Sequence, residues 1–467
     1  MLLDISFELL DINRNFLYVL IILFTFATYK TIKHQNMKAL RTLTSVVFAM
    51  MAFAATAQEG TWNGELNVMG NKVPLVFNFS TNGCTIDSPS QGVNGIQAEK
   101  TVKDDGTIKV KVGMIGATFE GKMTDGEIKG TFVQNGFPLP LTLKPGKLVV
   151  KRPQTPVPPF PYKEEAVSFT NAQYTFNGTL TLPENYSKNT PVVLMVTGSG
   201  QQDRDEELFS HKPFAVIADA LARQGIASLR YDDRGWGDKS VNFADFTTDD
   251  FRQDAAAAIP LLRKRFNKVG ILGHSEGGTI AMMLAAEGKA DFIVSLAGMA
   301  ISGKETLIMQ NRQAMSAIGL PKETVDSYCN SISKALDEIA SGKKANEINI
   351  DDVPQALKPI TIKSLQQADT PYIRHFLTVD VGKLLPKIKC PVLALNGTKD
   401  TQVDCDANTT RIEKGLANCK HSIKKIDGVN HMFQHCNTGI VTEYQQIEET
   451  IAPEVLQVVA EWIKSEL

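Results

Sequence analysis

Residues 269–278 read VGILGHSEGG, and they combine an apolar run, a tight turn and the start of a helical pattern. Residues 269–272 are apolar, which predicts a strand, and the small residues of 277–286 predict a helix. The turn between them is a G-x-S-x-G pattern, which in a strand–turn–helix context exposes the serine hydroxyl above a sheet. The pattern alone is weak, but this context makes Ser275 the candidate nucleophile.

A serine hydroxyl needs a base to remove its proton, and the base needs a carboxylate to orient it. In folds with this turn, the three groups follow in the chain order serine, acid, histidine. His431 lies in a loop directly after the apolar run 422–426, where such a base belongs. His435 is an alternative, whereas His421 precedes that run and is expected at the wrong edge of the sheet.

The candidate acid is Asp400, in the loop that follows the apolar run 392–395. Asp404 and Asp406 follow closely and are the alternatives. The preceding strand, the spacing and the chain order together favour Asp400.

The negative charge that develops during attack on a carbonyl needs hydrogen-bond donors. One donor is expected to be the backbone N–H of Glu276, directly after the nucleophile, and the other an N–H from the loop after the third strand. That loop, residues 197–206, reads TGSGQQDRDE and places Ser199 after its first glycine. Ser199 and Glu276 are therefore the predicted oxyanion-hole residues.

Apolar runs alternate with helical patterns from about residue 163 onward. The runs are at 192–196, 226–231, 269–272, 293–297, 392–395 and 422–426, and the helical patterns include 214–224 and 251–266. Continuous apolar strands separated by helices indicate a parallel sheet covered on both faces.

About ninety residues with helical periodicity separate the runs 293–297 and 392–395. A segment that long needs structure of its own, and we expect residues 301–385 to form a helical cap over the site. Five side chains in or beside this cap are candidates for lining an acyl or alcohol pocket, against the alternative of ordinary cap packing: Met299, Met309, Met315, Tyr328 and Phe376.

Residues 232–240, DDRGWGDKS, resemble the D-x-R-G-x-G-x-S stretch of α/β-hydrolase-fold serine hydrolases. With GSG at 198–200, DRDE at 203–206 and the segment 273–278, the chain is similar to the carboxylesterase and serine-aminopeptidase-like branch of that superfamily over about 163–467. The resemblance implies Ser275 as nucleophile, Asp400 as acid and His431 as base, with no metal and no organic cofactor. In place of the family's usual His-Gly, the oxyanion loop has Thr197-Gly198.

Residues 58–147 read as short strands at 66–69, 73–79, 107–112, 117–122, 127–133 and 139–143. Asp-Gly and Asn-Gly pairs between several of these strands predict hairpin turns. We expect a small antiparallel β domain, a half-barrel or meander, with Trp62 in its core. A proline-rich linker, 148–162, follows. The expected fold class is α/β: an α/β-hydrolase, mostly parallel sheet with a helical cap, preceded by this β domain.

The first 57 residues read as a leader rather than as part of the fold. Lys38 and Arg41, an apolar core at 43–54 and Ala-Thr-Ala at 55–57 form a secretory signal over 37–57. We expect translation to start at Met37, with 1–36 an upstream extension, and the mature protein to be exported, periplasmic or secreted. The alternative is a membrane anchor formed by the apolar runs at 16–29 and 43–54, although each is short of the ~20 residues that a span needs.

Composition excludes several classes of protein. The chain has 467 residues, 43% hydrophobic and 21% charged, which is typical of soluble globular domains. Its net charge of −2 gives no electrostatic footprint for nucleic acid. An exported protein can form disulfides, and one pair among Cys405, Cys419 and Cys436 is a candidate against the alternative of buried free thiols.

The expected function is carboxylic-ester hydrolysis on a small-molecule substrate, without nucleic acid and without a stable membrane anchor after cleavage. A short-peptide aminopeptidase using the same triad is the first alternative. It needs an anchor for a substrate amine, and the four acidic residues Asp203, Asp205, Glu206 and Glu207 are candidates unless they bind the backbone or pair with Arg204 and Arg234. Binding of carbohydrate or a partner by the β domain is the second alternative.

Overall fold

The computed structural model describes residues 59–68, 71–81, 83–88, 93–134, 136–147, 151–317 and 319–466. The leader, residues 1–57, lies outside them, so the upstream extension and the signal peptide stay predictions. The described residues fall into two compact units, 59–147 and 151–466. Within these residues, no helix combines the length and the apolar character needed to cross a membrane.

The first unit is a closed antiparallel barrel whose eight strands, within the described part of residues 60–145, follow one another in chain order. They are β1 (Gly60–Val68), β2 (Asn71–Ser80), β3 (Gly83–Ser88), β4 (Val93–Val102), β5 (Thr107–Val112), β6 (Ala117–Thr124), β7 (Glu127–Gln134) and β8 (Phe137–Pro145). β1 closes the barrel by pairing with β8, where Trp62 lies opposite Pro145. The predicted meander is therefore present, and it closes because closure pairs backbone groups that a half-barrel leaves exposed at two edges.

The sequence pattern predicts six strands in this unit, and the structure adds two more, β3 and β4. These strands read GCTIDS and VNGIQAEKTV, in which glycine and polar residues interrupt the apolar alternation. Pairing with neighbouring strands, rather than an intrinsic pattern, determines their conformation.

Large apolar side chains fill the barrel interior. Trp62 is 4% exposed, which confirms it as a core residue. The rings of Phe77 and Phe119 pack against each other with centroids 5.4 Å apart, and neither ring is exposed. This core stabilises the unit by burial of apolar area.

The second unit is built on an eight-stranded sheet, counted over the described residues, in the order β16-β15-β14-β13-β11-β12-β10-β9. Its strands are β9 (Tyr162–Asn171), β10 (Tyr174–Pro183), β11 (Val192–Val196), β12 (Ala227–Tyr231), β13 (Val269–His274), β14 (Ile293–Leu296), β15 (Val392–Gly397) and β16 (His421–Ile426). The six strands from β11 to β16 are parallel, and β9 and β10 are antiparallel. This mostly parallel sheet and the preceding barrel confirm the predicted fold class.

Helices cover both faces of the sheet. The helices of this unit are α1 (Pro213–Arg223), α2 (Thr248–Arg263), α3 (Glu276–Ala286), α4 (Gly303–Ala317), α5 (Lys322–Ala340), α6 (Lys358–Ala368), α7 (Pro371–Phe376), α8 (Cys405–Gly415), α9 (Val441–Tyr444) and α10 (Pro453–Ser465). Successive residues of β11 face opposite sides: Leu194 joins a cluster with α2 and α3, and Val193 one with α1 and α10. This is the packing expected of a parallel sheet.

Helices α4 to α7 form the cap, within the predicted range 301–385. The cap has a core of its own that includes Tyr328, Ile332, Leu336 and Leu365. It is therefore packed structure rather than a long loop, and α7 carries Tyr372 and Phe376 to the cavity described below.

Candidate active site

Ser275 occupies the sharp turn between β13 and α3, with φ 53° and ψ −119°. This left-handed conformation is strained for a residue with a side chain, as expected at a nucleophile elbow. The turn is tight enough to need glycine around it: a Cβ on Gly273 would lie 2.0 Å from the Gly277 carbonyl oxygen, and one on Gly277 would lie 2.0 Å from that of Val196. The Ser275 N–H donates to the Leu296 carbonyl at 2.8 Å, which fixes the turn on β14.

His431 and Asp400 meet at the carboxyl ends of β15 and β16. His431 Nδ1 lies 2.7 Å from Asp400 Oδ2, and both side chains are buried. The other carboxylate oxygen, Oδ1, accepts the N–H groups of Gln402 at 2.8 Å and Val403 at 2.9 Å. With Nδ1–H donated to Asp400, Nε2 of His431 is the nitrogen left to act as a base.

The alternative acids and bases have other partners. Asp404 accepts the Ala407 N–H at the start of α8, and Asp406 pairs with Lys425 on the surface. His435 is half-exposed between Glu449 and Glu454. His421 lies 3.6 Å from Glu413. None of these four side chains lines the cavity that contains Ser275 and His431.

Ser199 and Glu276 lie together at the elbow. The Ser199 hydroxyl lies close enough to the Glu276 carboxyl and the Tyr372 hydroxyl to lower the pKa of both groups. The Glu276 carboxyl also accepts Thr248 Oγ1 at 2.6 Å and Tyr372 Oη at 2.5 Å. Burial raises the pKa of Glu276, and these donors oppose that rise. These hydrogen bonds join α2, α3 and α7 of the cap through one buried carboxyl group, with Ser199 of the oxyanion loop beside it.

A second histidine–carboxylate pair lies beside the first. His274 Nδ1 is 3.0 Å from Glu206 Oε1, and His274 Nε2 is 3.0 Å from the carbonyl oxygen of His431. Glu206 Oε1 also accepts the Gly198 N–H at 2.7 Å. Burial alone would lower the pKa of His274, but the Glu206 carboxylate raises it above its usual value. This pair is not predicted by the sequence patterns, although both residues lie within the motifs at 203–206 and 273–278.

The acidic residues of the oxyanion loop hold that loop in place. Asp203 accepts the backbone N–H groups of Asp205 and Glu207, at 3.2 and 2.8 Å. Asp205 pairs with Arg230 and Lys212, and Glu207 also pairs with Lys212. The structural interpretation of these residues is therefore favoured over an amine anchor, but their cationic partners are not the expected Arg204 and Arg234.

A cavity of about 530 Å³ contains Ser275 and His431, whereas Asp400, which orients His431, does not line it. It is lined by Ser275, His431 and Ser199, and by Met299 and Phe376, as the sequence analysis proposed. The other three proposed pocket residues, Met309, Met315 and Tyr328, do not line it. Met315 of α4 and Tyr328 of α5 are buried in the cap core, and α4 presents Leu307 and Gln310 to the cavity.

The cysteines are not part of this site. All six (Cys84, Cys329, Cys390, Cys405, Cys419 and Cys436) are free thiols in the structure, so the candidate disulfide among the last three is not present. Burial raises the pKa of Cys405 to about 11, which makes it an inert structural thiol. Among the described residues, no group of histidine, cysteine or carboxylate side chains is arranged to hold a metal ion.

Comparison with known proteins gives matches to hydrolases. Residues 210–435 match the family model described as serine aminopeptidase, S33. The chain is 29% identical over 274 residues to the esterase EstD of Thermotoga maritima, which covers 57% of this chain and 60% of that protein. It is 25% identical over 252 residues to the human serine hydrolase BPHL, covering 50% of this chain and 72% of that protein. This chain therefore spans less than two thirds of EstD.

Similar solved structures include Est1E from Butyrivibrio proteoclasticus. The TM-score is 0.40 with 16% sequence identity, and the match covers 64% of this chain and 98% of that one.

Proposed function

We propose that this chain, an α/β-hydrolase-fold serine hydrolase of the esterase and serine-aminopeptidase-like branch, hydrolyses carboxylic esters through an acyl-enzyme on Ser275. The observation that carries the proposal is the 2.7 Å contact between His431 Nδ1 and Asp400 Oδ2, with His431 and Ser275 lining one cavity. An oriented imidazole that shares a cavity with a partly accessible serine is the arrangement that acyl transfer needs.

In the first half-reaction, Ser275 Oγ attacks the ester carbonyl while Nε2 of His431 takes the hydroxyl proton. The imidazolium that forms is stabilised by the buried Asp400 carboxylate. The negative oxygen of the tetrahedral intermediate is held by the backbone N–H groups of Glu276 and Ser199, and Glu276 lies at the positive end of α3. Collapse of the intermediate breaks the ester C–O bond, and the leaving alcohol takes the proton from His431.

In the second half-reaction, a water molecule attacks the acyl group on Ser275. His431 removes a proton from that water and returns it to Ser275 Oγ, which leaves as the free hydroxyl. The products are a carboxylic acid and the alcohol. The charged groups involved lie out of solvent: Asp400 and His431 are 5% and 4% exposed, which strengthens each electrostatic contact.

Ester hydrolysis is favoured over aminopeptidase activity because the oxyanion-loop carboxylates have protein partners. A substrate ammonium group would have to compete with Lys212 for Glu207 and with Arg230 and Lys212 for Asp205. Apolar side chains, by contrast, line part of the cavity: Met299, Leu307, Phe376 and Val403. Such a surface fits an acyl chain.

The test is a side-by-side assay of the purified protein on p-nitrophenyl esters from C2 to C12 and on aminoacyl p-nitroanilides. We expect ester cleavage with an optimum in acyl length, and a loss of about 10³-fold or more in Ser275→Ala. Ser187→Ala is the matched control, because Ser187 is exposed and is distant from Ser275 in the sequence. Retained activity in Ser275→Ala would contradict the proposal, and faster release of nitroaniline would favour the peptidase.

Export is also part of the proposal, and residues 37–57 support it by their signal-peptide pattern. We expect the exported protein to begin at Gln58. N-terminal sequencing or intact mass of the exported protein tests this, and a mass that includes residues 37–57 would contradict it.

A further inference from the structure

Trp236 is displayed on the surface rather than packed. Its side chain is 49% exposed, and it lies in a turn between Gly235 and Gly237, whose φ angles are +70° and +81°. The other tryptophans differ, since Trp62 is buried in the barrel and Trp462 packs on a cluster of the sheet. Single exposed apolar side chains are ordinary on a protein surface, so what distinguishes Trp236 is the pair of cavities that its indole borders.

Trp236 lines two neighbouring cavities. One is the catalytic cavity, which also contains Ser275 and His431. The other, called the second cavity here, has a volume of about 340 Å³. The indole therefore lies where a ligand extending from the catalytic cavity would enter the second one.

The catalytic cavity has an apolar part and a polar part. Met299, Phe376 and Val403 pack together in the apolar part. Gln201 and Gln202 belong to the part near Trp236, because Gln201 Nε2 donates to the Arg234 carbonyl at 2.8 Å and the Gln202 N–H donates to Asp233 at 2.8 Å. An ester bound at Ser275 with its acyl group in the apolar part would direct its alcohol toward Trp236.

Hydrogen-bonding side chains dominate the second cavity. Three exposed polar residues line it: Gln173, just before β10, and Thr175 and Asn177, within β10. Because they are two residues apart from one another, their side chains lie on the same face of the strand. Asp238 adds a carboxylate whose Oδ1 accepts from Ser240, whereas the Asp232 carboxylate is already paired with Arg204. No lysine or arginine is among the residues that line this cavity, so its chemistry disfavours an anionic ligand.

The ligand that fits an exposed indole next to amides, a hydroxyl and carboxylates is a sugar. Sugar hydroxyls donate to carboxylates and amide oxygens and accept from amide N–H groups. The C–H face of a sugar ring stacks on an indole face through dispersion and weak C–H contacts. A lipid alcohol would form no hydrogen bonds with the exposed amides and the hydroxyl of this cavity.

We propose that the alcohol part of the ester substrate is a sugar, stacked on Trp236 and extending into the second cavity. That the bound molecule is an ester cleaved at Ser275 rests on the proposed function, whereas binding of a sugar at Trp236 does not. Trp236 is in this view a specificity-determining residue.

Hydrolysis gives the first test. The substrates are 6-O-acetylglucose, acetylated xylobiose and acetylated cellobiose, with butyl acetate as the ester without a sugar. In Trp236→Ala we expect KM for the acetylated disaccharides to rise at least about tenfold relative to KM for butyl acetate, with partial recovery in Trp236→Phe. Tyr186→Ala removes an exposed aromatic that lines neither cavity and should leave the preference unchanged. An equal change for all four esters in Trp236→Ala would overturn the proposal.

Binding gives the second test and does not depend on turnover. The same three sugar esters are titrated into Ser275→Ala, with tryptophan fluorescence and calorimetry as readouts. We expect a fluorescence change that disappears in Ser275→Ala/Trp236→Phe. Sugar binding without any hydrolysis by the wild type would refute the proposed function and keep the sugar site. Hydrolysis of butyl acetate without binding of any of the sugar esters would refute the sugar site and keep the function.

Discussion

His274 Nδ1 lies 3.0 Å from Glu206 Oε1, directly beside the pair formed by His431 and Asp400. The two imidazole rings have centroids 4.8 Å apart. Because Nε2 of His274 faces the His431 carbonyl oxygen, both ring nitrogens of His274 face acceptors, which favours the doubly protonated form. The Glu206–His274 pair therefore joins the oxyanion loop to the loop that carries the candidate base.

Glu206→Gln is expected to destabilise the fold and slow catalysis. The amide leaves a buried imidazole without its counter-charge, and it weakens the contact that holds Gly198. Since the pKa of His274 is raised in the folded protein, the stabilisation is fully present below the unfolded-state value of about 6.5 and is lost as pH rises through the folded-state value. The difference in unfolding free energy from wild type should therefore be larger at pH 6 than at pH 9.

Denaturant unfolding across that pH range measures the difference, with the half-exposed neighbour Glu207→Gln as control. A difference that does not vary with pH would mean that the His274 charge is not involved. We also expect kcat to fall by about tenfold or more, because the pair holds the loops of both Ser199 and His431.

Asp400→Asn should abolish most activity while leaving the fold intact. The amide cannot stabilise the imidazolium as a carboxylate does, and it favours the wrong His431 tautomer. A loss in kcat of about 10³- to 10⁴-fold is expected from equivalent changes in other triads. Asp406→Asn, at a carboxylate that is exposed and pairs with Lys425, is the matched control. A comparable loss of activity in the control, or only a small loss in Asp400→Asn, would mean that Asp400 is not the catalytic acid.

Tyr372→Phe removes one of the hydroxyl groups that solvate the buried Glu276 carboxyl. Loss of a hydrogen bond to a buried group should destabilise the protein by about 1–3 kcal/mol. Since the Tyr372 hydroxyl lowers the pKa of Glu276, the variant should raise that pKa further. We expect kcat to fall more than KM rises, because Tyr372 and Glu276 lie beside Ser199 of the oxyanion loop.

Steady-state kinetics and thermal unfolding measure both effects of Tyr372→Phe. Thr248→Val removes another donor to the same carboxyl from α2, outside the cap, and should reproduce the kinetic defect. If Thr248→Val is destabilised but kinetically normal, the effect of Tyr372 comes from its place in the cavity and not from Glu276.

Gly277→Ala should prevent formation of the elbow. The added Cβ would lie 2.0 Å from the Val196 carbonyl oxygen, and that backbone belongs to a central strand of the sheet, β11. We expect loss of soluble protein or a drop in melting temperature of ten degrees or more, on the order of several kcal/mol. Gly113→Ala adds a Cβ that meets nothing within 4 Å and should be neutral. A normal melting temperature for Gly277→Ala would show that β11 and α3 can separate.

The elbow could be predicted because its determinants are local. Ser275, its glycines and the strand before it lie within ten residues, and Gly273 and Gly277 are required by contacts inside that segment and with β11. Asp400 and His431 were predicted from their places after apolar runs, since parallel strands bring their carboxyl ends to one edge. The structure brings these two side chains together, 31 residues apart in sequence.

Contacts between distant elements could not be predicted. Glu206 and His274 are 68 residues apart, and Glu276 and Tyr372 are 96 apart, with no periodic signal that joins them. The predicted lining of the acyl pocket is confirmed for only some residues. Helical periodicity shows which residues share a face of α4, but it does not show which face packs inside the cap. The barrel strands β3 and β4 were missed because pairing, not alternation, defines them.

The closed barrel has a consequence for self-association. A sheet edge offers unpaired backbone groups to which another chain can add a strand, and the pairing of β1 with β8 removes both edges from the first unit. In the described part of the chain, the large sheet keeps two edge strands, β9 and β16. Lys163 and Glu164 are exposed on one, and Lys424 and Lys425 on the other. Charges at these positions oppose the addition of a strand from another molecule. Neither the barrel, which has no edges, nor the large sheet, whose edges are charged, therefore favours ordered aggregation of the folded protein.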